Sequence, residues 1–299
     1  MSKPTRPHNG LMRVPVTNAE ELNASQVLAA RLKQIDGLLT RYESIARLRA
    51  KPTSELGDDD HRTSWLNFSH FVASCMAMAT DSLASTRQLL LPDDDQLEHR
   101  VTAHFALLRS ALESAATALW LLRPDDQRER IIRLLRLRAN DADFDVSLVK
   151  AAAKLVDTET LDGRAASQAA IRNAVARRKK HQLRMTKIAA AEGITASEYL
   201  NNFPGYGVIV EQATDYPDLD GAYASTVWRL ISGLTHPSPL RMLSTSNHEE
   251  TVANEDGTLH VVASTHLGHT TNALLAAMMT YRRATETLAA RIARVHHRA

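Results

Sequence analysis

Residues 101–122 read VTAHFALLRSALESAATALWLL, and this stretch decides the fold. Its apolar side chains recur in alternating steps of four and three residues, at Val101, Phe105, Leu108, Leu112, Ala115, Leu119 and Leu122. That spacing places them in one narrow stripe along an α-helix, a pattern typical of helices packed nearly antiparallel. The stretch therefore predicts a core helix of a bundle, which we place at about residues 95–122.

The rest of the chain favours helix as well. Its 299 residues include only 11 Gly and 10 Pro, and 44% are hydrophobic, which excludes collagen-like and low-complexity classes. Amphipathic periodicity without alternating strands predicts an all-α, elongated multi-helix bundle of about seven helices, one of them over about 60–91. A small β-hairpin is predicted near 241–262, with residues 241–244 paired with 259–262 around a turn at Asp256-Gly257.

The pattern favours one domain with an arm in front of it. Residues 1–16 are polar and carry Pro4 and Pro7, so we expect a flexible N-terminal arm. No convincing linker divides residues 17–299, which we interpret as a single helical-bundle domain with the basic helix and loop at about 164–217 as an elaboration. From their pattern, the long amphipathic helices have more apolar face than one short bundle buries, which favours a homodimer.

Charge and cysteine content bear on the cellular setting. Lys and Arg number 36 against 34 Asp and Glu, so the total charge predicts no particular partner. Cys75 is the single cysteine and lies in an apolar stretch, which indicates a buried thiol. The N-terminus lacks the apolar core of a secretory signal, and no run approaches the roughly 18 apolar residues of a membrane span. We therefore expect a cytoplasmic protein without a membrane partner.

One helix is strongly basic. Between residues 164 and 187 there are eight cations and no acid: Arg164, Arg172, Arg177, Arg178, Lys179, Lys180, Arg184 and Lys187. Like charges on one helix repel unless something neutralises them. Phosphates of RNA or DNA would do so, as would an acidic protein surface such as residues 141–145, within the chain or across a dimer. The first hypothesis is thus a non-enzymatic binding protein, although no aromatic residue interrupts the cations and a solvated face is the common alternative.

A second pattern lies in residues 223–239, YASTVWRLISGLTHPSP. At 100° per residue, Arg229, Ser232 and His236 share one line of this predicted helix, with Arg229 and His236 about 10.5 Å apart along its axis. Arginine binds a phosphate with two parallel hydrogen bonds, and histidine transfers protons near neutral pH. Such a pair suits metal-independent RNA cleavage. The alternative is structural: His236 caps the helix end and Arg229 forms a surface ion pair.

The Arg229-to-His236 spacing and the all-α setting resemble HEPN-type ribonucleases, helical proteins of toxin and defence systems that dimerise to assemble their site. The resemblance implies His236 as base or acid, Arg229 as the group that stabilises the phosphate, and Ser232 as a positioning residue. The chain departs from the family pattern at Leu230, where a polar residue is usual. The spacing is at the long limit of the motif, and Pro237 directly follows the histidine.

Arg109 and Glu113, four residues apart in the core helix, form a third candidate. Together with Ser232 and His236 they resemble uncharacterised bacterial helical families that pair an Arg-x3-Glu helix with a Ser-x3-His helix. A buried Arg109–Glu113–His236 network, or a small-molecule pocket lined also by Tyr206 and Trp228, would follow. The alternative is an ordinary surface ion pair worth about 0.3–0.5 kcal/mol.

Metal and cofactor motifs are not evident. The 13 histidines include no His-Glu-x-x-His, and no Glu-x-x-His pair occurs on helices predicted to face each other. Phosphate-binding glycine loops and a nucleophile elbow are also missing from the sequence. We therefore predict neither a metal nor a cofactor.

Overall fold

The computed structural model describes residues 19–93, 96–98, 100–156, 160–254, 256 and 259–295. Within these ranges the chain forms eleven helices and one two-stranded sheet. Seven of the helices have 14 residues or more, so the predicted all-α, multi-helix class with about seven main helices is confirmed. The predicted arm at 1–16 lies outside the described residues.

The elements follow one another along the chain with mostly short connections. They are α1 Ala19–Ala46, α2 Glu55–Arg62, α3 Phe68–Leu90, α4 Ala103–Leu122, α5 Gln127–Ala153, α6 Leu161–Ala191, α7 Ala196–Tyr199, α8 Tyr206–Thr214, α9 Gly221–Leu234, α10 Pro239–Thr245, β1 Ser246–Ala253, β2 Leu259–Thr265 and α11 Leu267–Ala293.

The stripe that decided the fold is buried in α4. Phe105, Leu108, Leu112, Ala115 and Leu119 have at most 2% of their surface exposed, as a core helix requires. The predicted start was wrong, because α4 begins at Ala103 instead of residue 95 and leaves Val101 exposed. By length and composition α4 is also the one helix in the described ranges that could cross a membrane, but 72% of that window is buried inside the structure.

The helix predicted at about 60–91 is two helices separated by a turn at residues 63–67. The Thr63 hydroxyl donates to the Asp59 carbonyl of α2 and accepts from the Phe68 amide of α3, so it joins the two helix ends. Trp65 and Asn67 both have positive φ, at 58° and 47°. Positive φ is common for asparagine but rare for a bulky residue such as tryptophan, so the turn holds Trp65 in a strained backbone conformation.

Side-chain caps set the N-termini of the helices that carry the candidate sites. Thr160 accepts from the Gly163 amide at the start of α6, and Asp220 accepts from the Ala222 and Tyr223 amides at the start of α9. Each cap satisfies amides that have no partner inside the helix. These caps place the basic helix and the Arg229 helix close to their predicted positions.

A two-stranded antiparallel hairpin is present, but its first strand begins later than predicted. Strand β1 pairs with β2 from Ser246 opposite Thr265 to Ala253 opposite Leu259. Residues 241–244, predicted to be the first strand, belong to α10 instead. The Ser238 hydroxyl caps this short helix and Pro239 occupies its first turn, where a proline is compatible with helix.

The chain divides into two compact units. The first comprises Met1–Leu48, Ala73–Leu119 and Tyr206–Ala289, and the second comprises Arg49–Val72, Trp120–Gly205 and Ala290–Ala299. Among their described residues, Leu32, Met76, Leu108 and Ile231 belong to the core of the first unit. Trp120, Leu134, Ala174 and Tyr199 belong to the core of the second unit. The prediction of a single domain over 17–299 stays a prediction.

Candidate functional site

The basic helix α6 lies against α5 in the second unit, and part of its charge is neutralised there. Arg177 pairs with Asp145 at 3.2 Å, and Arg178 pairs with Asp143. These acids belong to the 141–145 segment that the sequence offered as an internal partner. Two of the eight cations therefore have an ionic partner within the chain, which lowers the repulsion along α6.

The other face of α6 carries cations that face solvent. Arg172, Lys179, Lys180 and Lys187 are all exposed. At 100° per residue they fall within an arc of about 100°, and they span about 22 Å along the axis. In the ranges that the structure covers, none of these four side chains forms an ion pair or a hydrogen bond. They form a continuous positive strip, called here the outer face of α6.

Arg184, at the edge of the outer face, contacts an aromatic ring from another segment. Its guanidinium carbon lies 3.4 Å from the centroid of the Trp65 ring, a cation–π contact. The His181 ring lies 6.5 Å from the same indole, centroid to centroid. The sequence showed no aromatic residue among the cations of α6. The structure brings one from the turn between α2 and α3, more than 100 residues away, and no local pattern could have shown this pairing.

An open cleft of about 340 Å³ lies beside this contact. It is lined by Trp65, Arg62, Arg184 and Lys187, with smaller residues between them. Arg62 pairs with Asp58 and Glu192, both at 3.0 Å, and these bonds raise its pKa, the Asp58 hydrogen bond being the largest cause. The cleft thus combines one exposed aromatic ring with three cationic side chains.

A smaller cavity of about 150 Å³ lies between α5 and α6. Arg138, Asp141, Asp145, Arg178 and His181 line it. Partial burial lowers the pKa of His181, and the positive charges of Arg138 and Arg184 lower it further, because both effects disfavour the imidazolium. His181 is therefore neutral over a wider pH range than a histidine in water.

In the first unit, Arg229 of α9 and His236 both face solvent, but α9 ends at Leu234, so His236, predicted on the same helix line as Arg229, lies beyond the helix. Both side chains are exposed, and Ser232 is partly exposed on the same side of the helix. Within the described part of the chain, neither Arg229 nor His236 has a hydrogen-bond or ion-pair partner. His236 therefore lies outside the predicted Arg109–Glu113–His236 network, and the surface ion pair suggested for Arg229 is not formed by any described residue.

Arg109 and Glu113 form a network with other α9 residues instead. The Arg109 Nε donates to Glu113 Oε1 at 2.7 Å, and its Nη1 donates to the Thr235 hydroxyl at 3.1 Å. The Trp228 indole donates to the same Glu113 oxygen at 2.6 Å. These groups satisfy one another, and a Cβ on Gly207 would lie only 2.9 Å from the Trp228 ring. Such close packing supports an anchoring role for this cluster and argues against the predicted small-molecule pocket.

A cation that sequence reasoning missed lies beside the Arg229 line. The Arg241 side chain of α10 packs on Gly233 so closely that a Cβ there would lie 2.3 Å from Arg241 Nη1. Gly233 is four residues after Arg229 in α9, so these two positions are neighbours on the helix surface. The only sequence signal was the glycine inside a helix, which often marks close packing.

Scans against known protein families, curated proteins and solved structures find no match for this chain.

The assignment of the sites therefore rests on their own geometry. Among the described residues, no group of three or more His, Cys, Asp or Glu side chains is arranged to hold a metal ion. The candidates are the outer face of α6, with its cleft at Trp65, and the Arg229, His236 and Arg241 surface of α9 and α10.

Proposed function

We propose that this chain is a cytoplasmic protein that binds nucleic acid through the phosphate backbone, using the outer face of α6. One observation carries the proposal: Arg172, Lys179, Lys180 and Lys187 share one solvent-exposed face without an acidic partner among the described residues. A strip of fixed positive charge attracts phosphates because binding releases the counterions that surround the nucleic acid.

The acids of the 141–145 segment leave the outer face of α6 without an acidic partner among the described residues. Asp143 and Asp145, which could have neutralised the strip, contact Arg177 and Arg178 at the helix side that faces α5. The outer face keeps its charge as a result. Lysines supply flexible point charges, which suit phosphates that are irregularly spaced.

The experiment is a fluorescence-anisotropy titration of a labelled single-stranded oligonucleotide at several salt concentrations. The logarithm of the binding constant should fall linearly with the logarithm of salt, by about 0.7 for each phosphate neutralised. In the double variant Lys179→Gln/Lys180→Gln the slope should become shallower by about 1.4. A matched control, Lys33→Gln/Lys51→Gln, removes two exposed lysines elsewhere and should leave the slope unchanged. Binding that does not depend on salt, or no binding, would contradict the proposal.

The exposed Arg229 on α9 and His236 just after this helix favour a second candidate, a metal-independent ribonuclease of HEPN type. Arg229 and His236 are exposed and have no hydrogen-bond or ion-pair partner among the described residues, and the Arg241 guanidinium packs on Gly233, one helix turn after Arg229. His236 would take the proton of a ribose 2′-hydroxyl while that oxygen attacks phosphorus, and the 5′-oxygen would leave with a proton from water. Arg229 would hold the doubly charged phosphorane, and Ser232 would position the phosphate. The products are a 2′,3′-cyclic phosphate and a free 5′-hydroxyl.

RNA incubated with EDTA tests this candidate. Cleavage with cyclic-phosphate ends is expected, and His236→Ala and Arg229→Ala should each lower its rate by about a hundredfold or more. His61→Ala removes an exposed histidine on α2 and serves as the control. Cleavage that survives His236→Ala, or RNA left intact by the wild-type chain, would contradict the ribonuclease.

We also propose that the chain forms a homodimer, and a stripe on α5 supports this. Phe144 and Leu148 are 71% and 60% exposed and lie four residues apart on one face of α5, and Leu155, which is 88% exposed, follows two residues after the end of this helix at Ala153. Exposed apolar stripes of this kind mark protein interfaces. A second copy of the chain would cover two identical stripes at once.

A further inference from the structure

Trp65 occupies an unusual position in the turn between α2 and α3. Its φ of 58° is in the left-handed region, which bulky residues rarely adopt, and 40% of its surface is exposed. Strained residues of this kind persist only where the surrounding structure holds them, and they are frequent at functional sites. The strained backbone at Trp65 therefore requires contacts that hold it in place, and it indicates a functional role for the side chain.

The structural cause is the packing on either side of the residue. Leu66 and Phe68 are buried, and the amides of Leu66 and Asn67 both donate to the Thr63 carbonyl, at 2.9 and 3.1 Å. These contacts fix the turn and leave the indole on the surface of the second unit. A smaller or polar residue at position 65 could make the same backbone hydrogen bonds with less exposed apolar surface, so the turn alone does not require a tryptophan.

The surroundings of the indole suit a nucleobase. The Arg184 guanidinium lies 3.4 Å from the ring centroid, and Lys187 and Arg62 line the adjoining cleft. Lys179, Lys180 and Lys187 continue the positive charge along the outer face of α6. An aromatic ring beside a positive strip is the arrangement by which proteins bind single strands, because the ring stacks on a base while the cations hold the backbone.

We propose that Trp65 is a base-stacking site for single-stranded nucleic acid, RNA or DNA, whose backbone follows the outer face of α6. This inference rests on the proposed phosphate binding and adds a preference for single strands over duplexes. A base must be unpaired and unstacked to lie against the indole, so a duplex offers the same phosphates but no ligand for Trp65. Arg184 stacks on the ring and contributes a charge next to the bound base.

The test compares four labelled ligands by fluorescence anisotropy at one salt concentration: a 12-nucleotide oligo(U), a 12-nucleotide oligo(dT), an abasic strand with the same number of phosphates, and a 12-base-pair duplex. The wild-type chain should bind oligo(U) and oligo(dT) more tightly than the abasic strand. Trp65→Ala should weaken both single strands by about tenfold or more and leave the abasic strand and the duplex unchanged. The abasic affinity also reports that the variant is folded.

Two further variants separate stacking from general apolar contact. Trp65→Phe keeps an aromatic ring and should retain part of the preference for bases. Leu183→Ala removes an exposed apolar side chain that lies on α6 among the cations, and it should change no affinity. Addition of oligo(U) should quench the intrinsic tryptophan fluorescence of the wild-type chain. This quenching should disappear in Trp65→Phe, because Trp120 is buried and the Trp228 indole is bonded to Glu113.

The outcomes separate this inference from the proposed function. Equal affinities of wild type and Trp65→Ala for oligo(U), with weaker binding in Lys179→Gln/Lys180→Gln, would overturn the stacking site and leave phosphate binding in place. A wild-type chain that binds the abasic strand as tightly as oligo(U) would also overturn it. A chain that binds none of the four ligands would overturn both proposals. An acidic peptide bound as tightly as oligo(U) would replace nucleic acid with an acidic protein partner.

Discussion

Asp59 of α2 and Arg130 of α5 form a bidentate ion pair that is almost completely buried. The Arg130 Nε and Nη2 donate to the two Asp59 carboxylate oxygens at 2.8 and 2.9 Å, and the arginine and aspartate side chains are 1% and 0% exposed. Gln127 donates to the same carboxylate, and Arg130 also donates to the carbonyls of Pro124 and Asp125. This pair holds α2, the start of α5 and the connection before α5 together.

Removing one member of the pair should be costly. Arg130→Met leaves the buried Asp59 carboxylate without its cationic partner and removes a donor to the Asp125 carbonyl, so we expect the free energy of unfolding to fall by about 3–5 kcal/mol. Arg130→Lys keeps the charge but loses the bidentate geometry, so its free energy of unfolding should lie between those of the wild type and Arg130→Met. The double variant Asp59→Leu/Arg130→Met removes both charges and should recover part of the loss. Urea unfolding followed by circular dichroism measures each value, and a change below about 1 kcal/mol in Arg130→Met would contradict this role.

The sequence indicated the buried face of α4 but misread α2, for a physical reason. The α4 stripe is local: each apolar residue is three or four positions from the next, so periodicity alone indicates the buried face. The predicted helix over about 60–91 leaves Asp58 and Asp59 before its first residue. They lie inside α2, where both are buried. Their burial depends on Arg62, on Gln127 and on Arg130, which is 71 residues from Asp59, and no local pattern indicates such long-range pairing.

The backbone strain at Trp65 makes a prediction about stability that is independent of ligand binding. Because glycine adopts positive φ without a steric penalty, Trp65→Gly should be more stable than Trp65→Ala by about 1 kcal/mol. At Leu183, within α6, the order should reverse, and Leu183→Gly should be less stable than Leu183→Ala by about 1 kcal/mol. Thermal unfolding of the four variants checks both orders. Trp65→Ala equal to or above Trp65→Gly in stability would show that the turn is not strained at this position.

The depressed pKa of His181 gives stability a defined pH dependence. Burial and the charges of Arg138 and Arg184 lower the pKa of His181 from 6.5 in the folded chain, so between the two pKa values the unfolded chain binds more protons. The contribution of neutral His181 is therefore complete above about pH 6.5 and is lost as the pH falls through the lower, folded-state pKa. His181→Gln should make the free energy of unfolding less dependent on pH between about 7.5 and 5.5. An unchanged slope would contradict the depressed pKa.

The α5 stripe predicts the oligomeric state. Leu148→Glu places a charge in the proposed dimer face, where burial without a partner is unfavourable. Light scattering after gel filtration should give twice the chain mass of 33.0 kDa for the wild type and the single-chain mass for this variant. Lys150→Glu changes an exposed charge on the same helix and should remain dimeric. A wild-type protein with the mass of one chain, or a dimeric Leu148→Glu variant, would contradict the proposal that this stripe is the dimer interface.

In the candidate sites too, the sequence predicted features that depend on neighbouring residues and missed contacts between residues far apart in the chain. Helix periodicity placed Arg229 and Ser232 on one side of α9, and Lys179 and Lys180 in one basic helix, because both placements depend on residues close in sequence. It also placed His236 on that helix, but α9 ends at Leu234. Trp65 beside Arg184 and Arg241 beside Gly233 come from packing between separate elements. These two contacts add the aromatic ring and the second guanidinium that the sequence did not indicate.

A substitution at Gly233 tests the role of Arg241 in RNA cleavage, because the Arg241 side chain packs on this glycine. Because a Cβ at this position would lie 2.3 Å from Arg241 Nη1, Gly233→Ala should displace the flexible Arg241 side chain while keeping α9 intact, since alanine favours helix by up to about 1 kcal/mol over glycine. If Arg241 helps to hold the charged phosphorane, Gly233→Ala and Arg241→Ala should lower the RNA cleavage rate to a similar extent, by about tenfold or more. Arg241→Lys, which keeps the charge, should lose less. Wild-type rates in both Gly233→Ala and Arg241→Ala would remove Arg241 from the site and leave Arg229 as its single guanidinium.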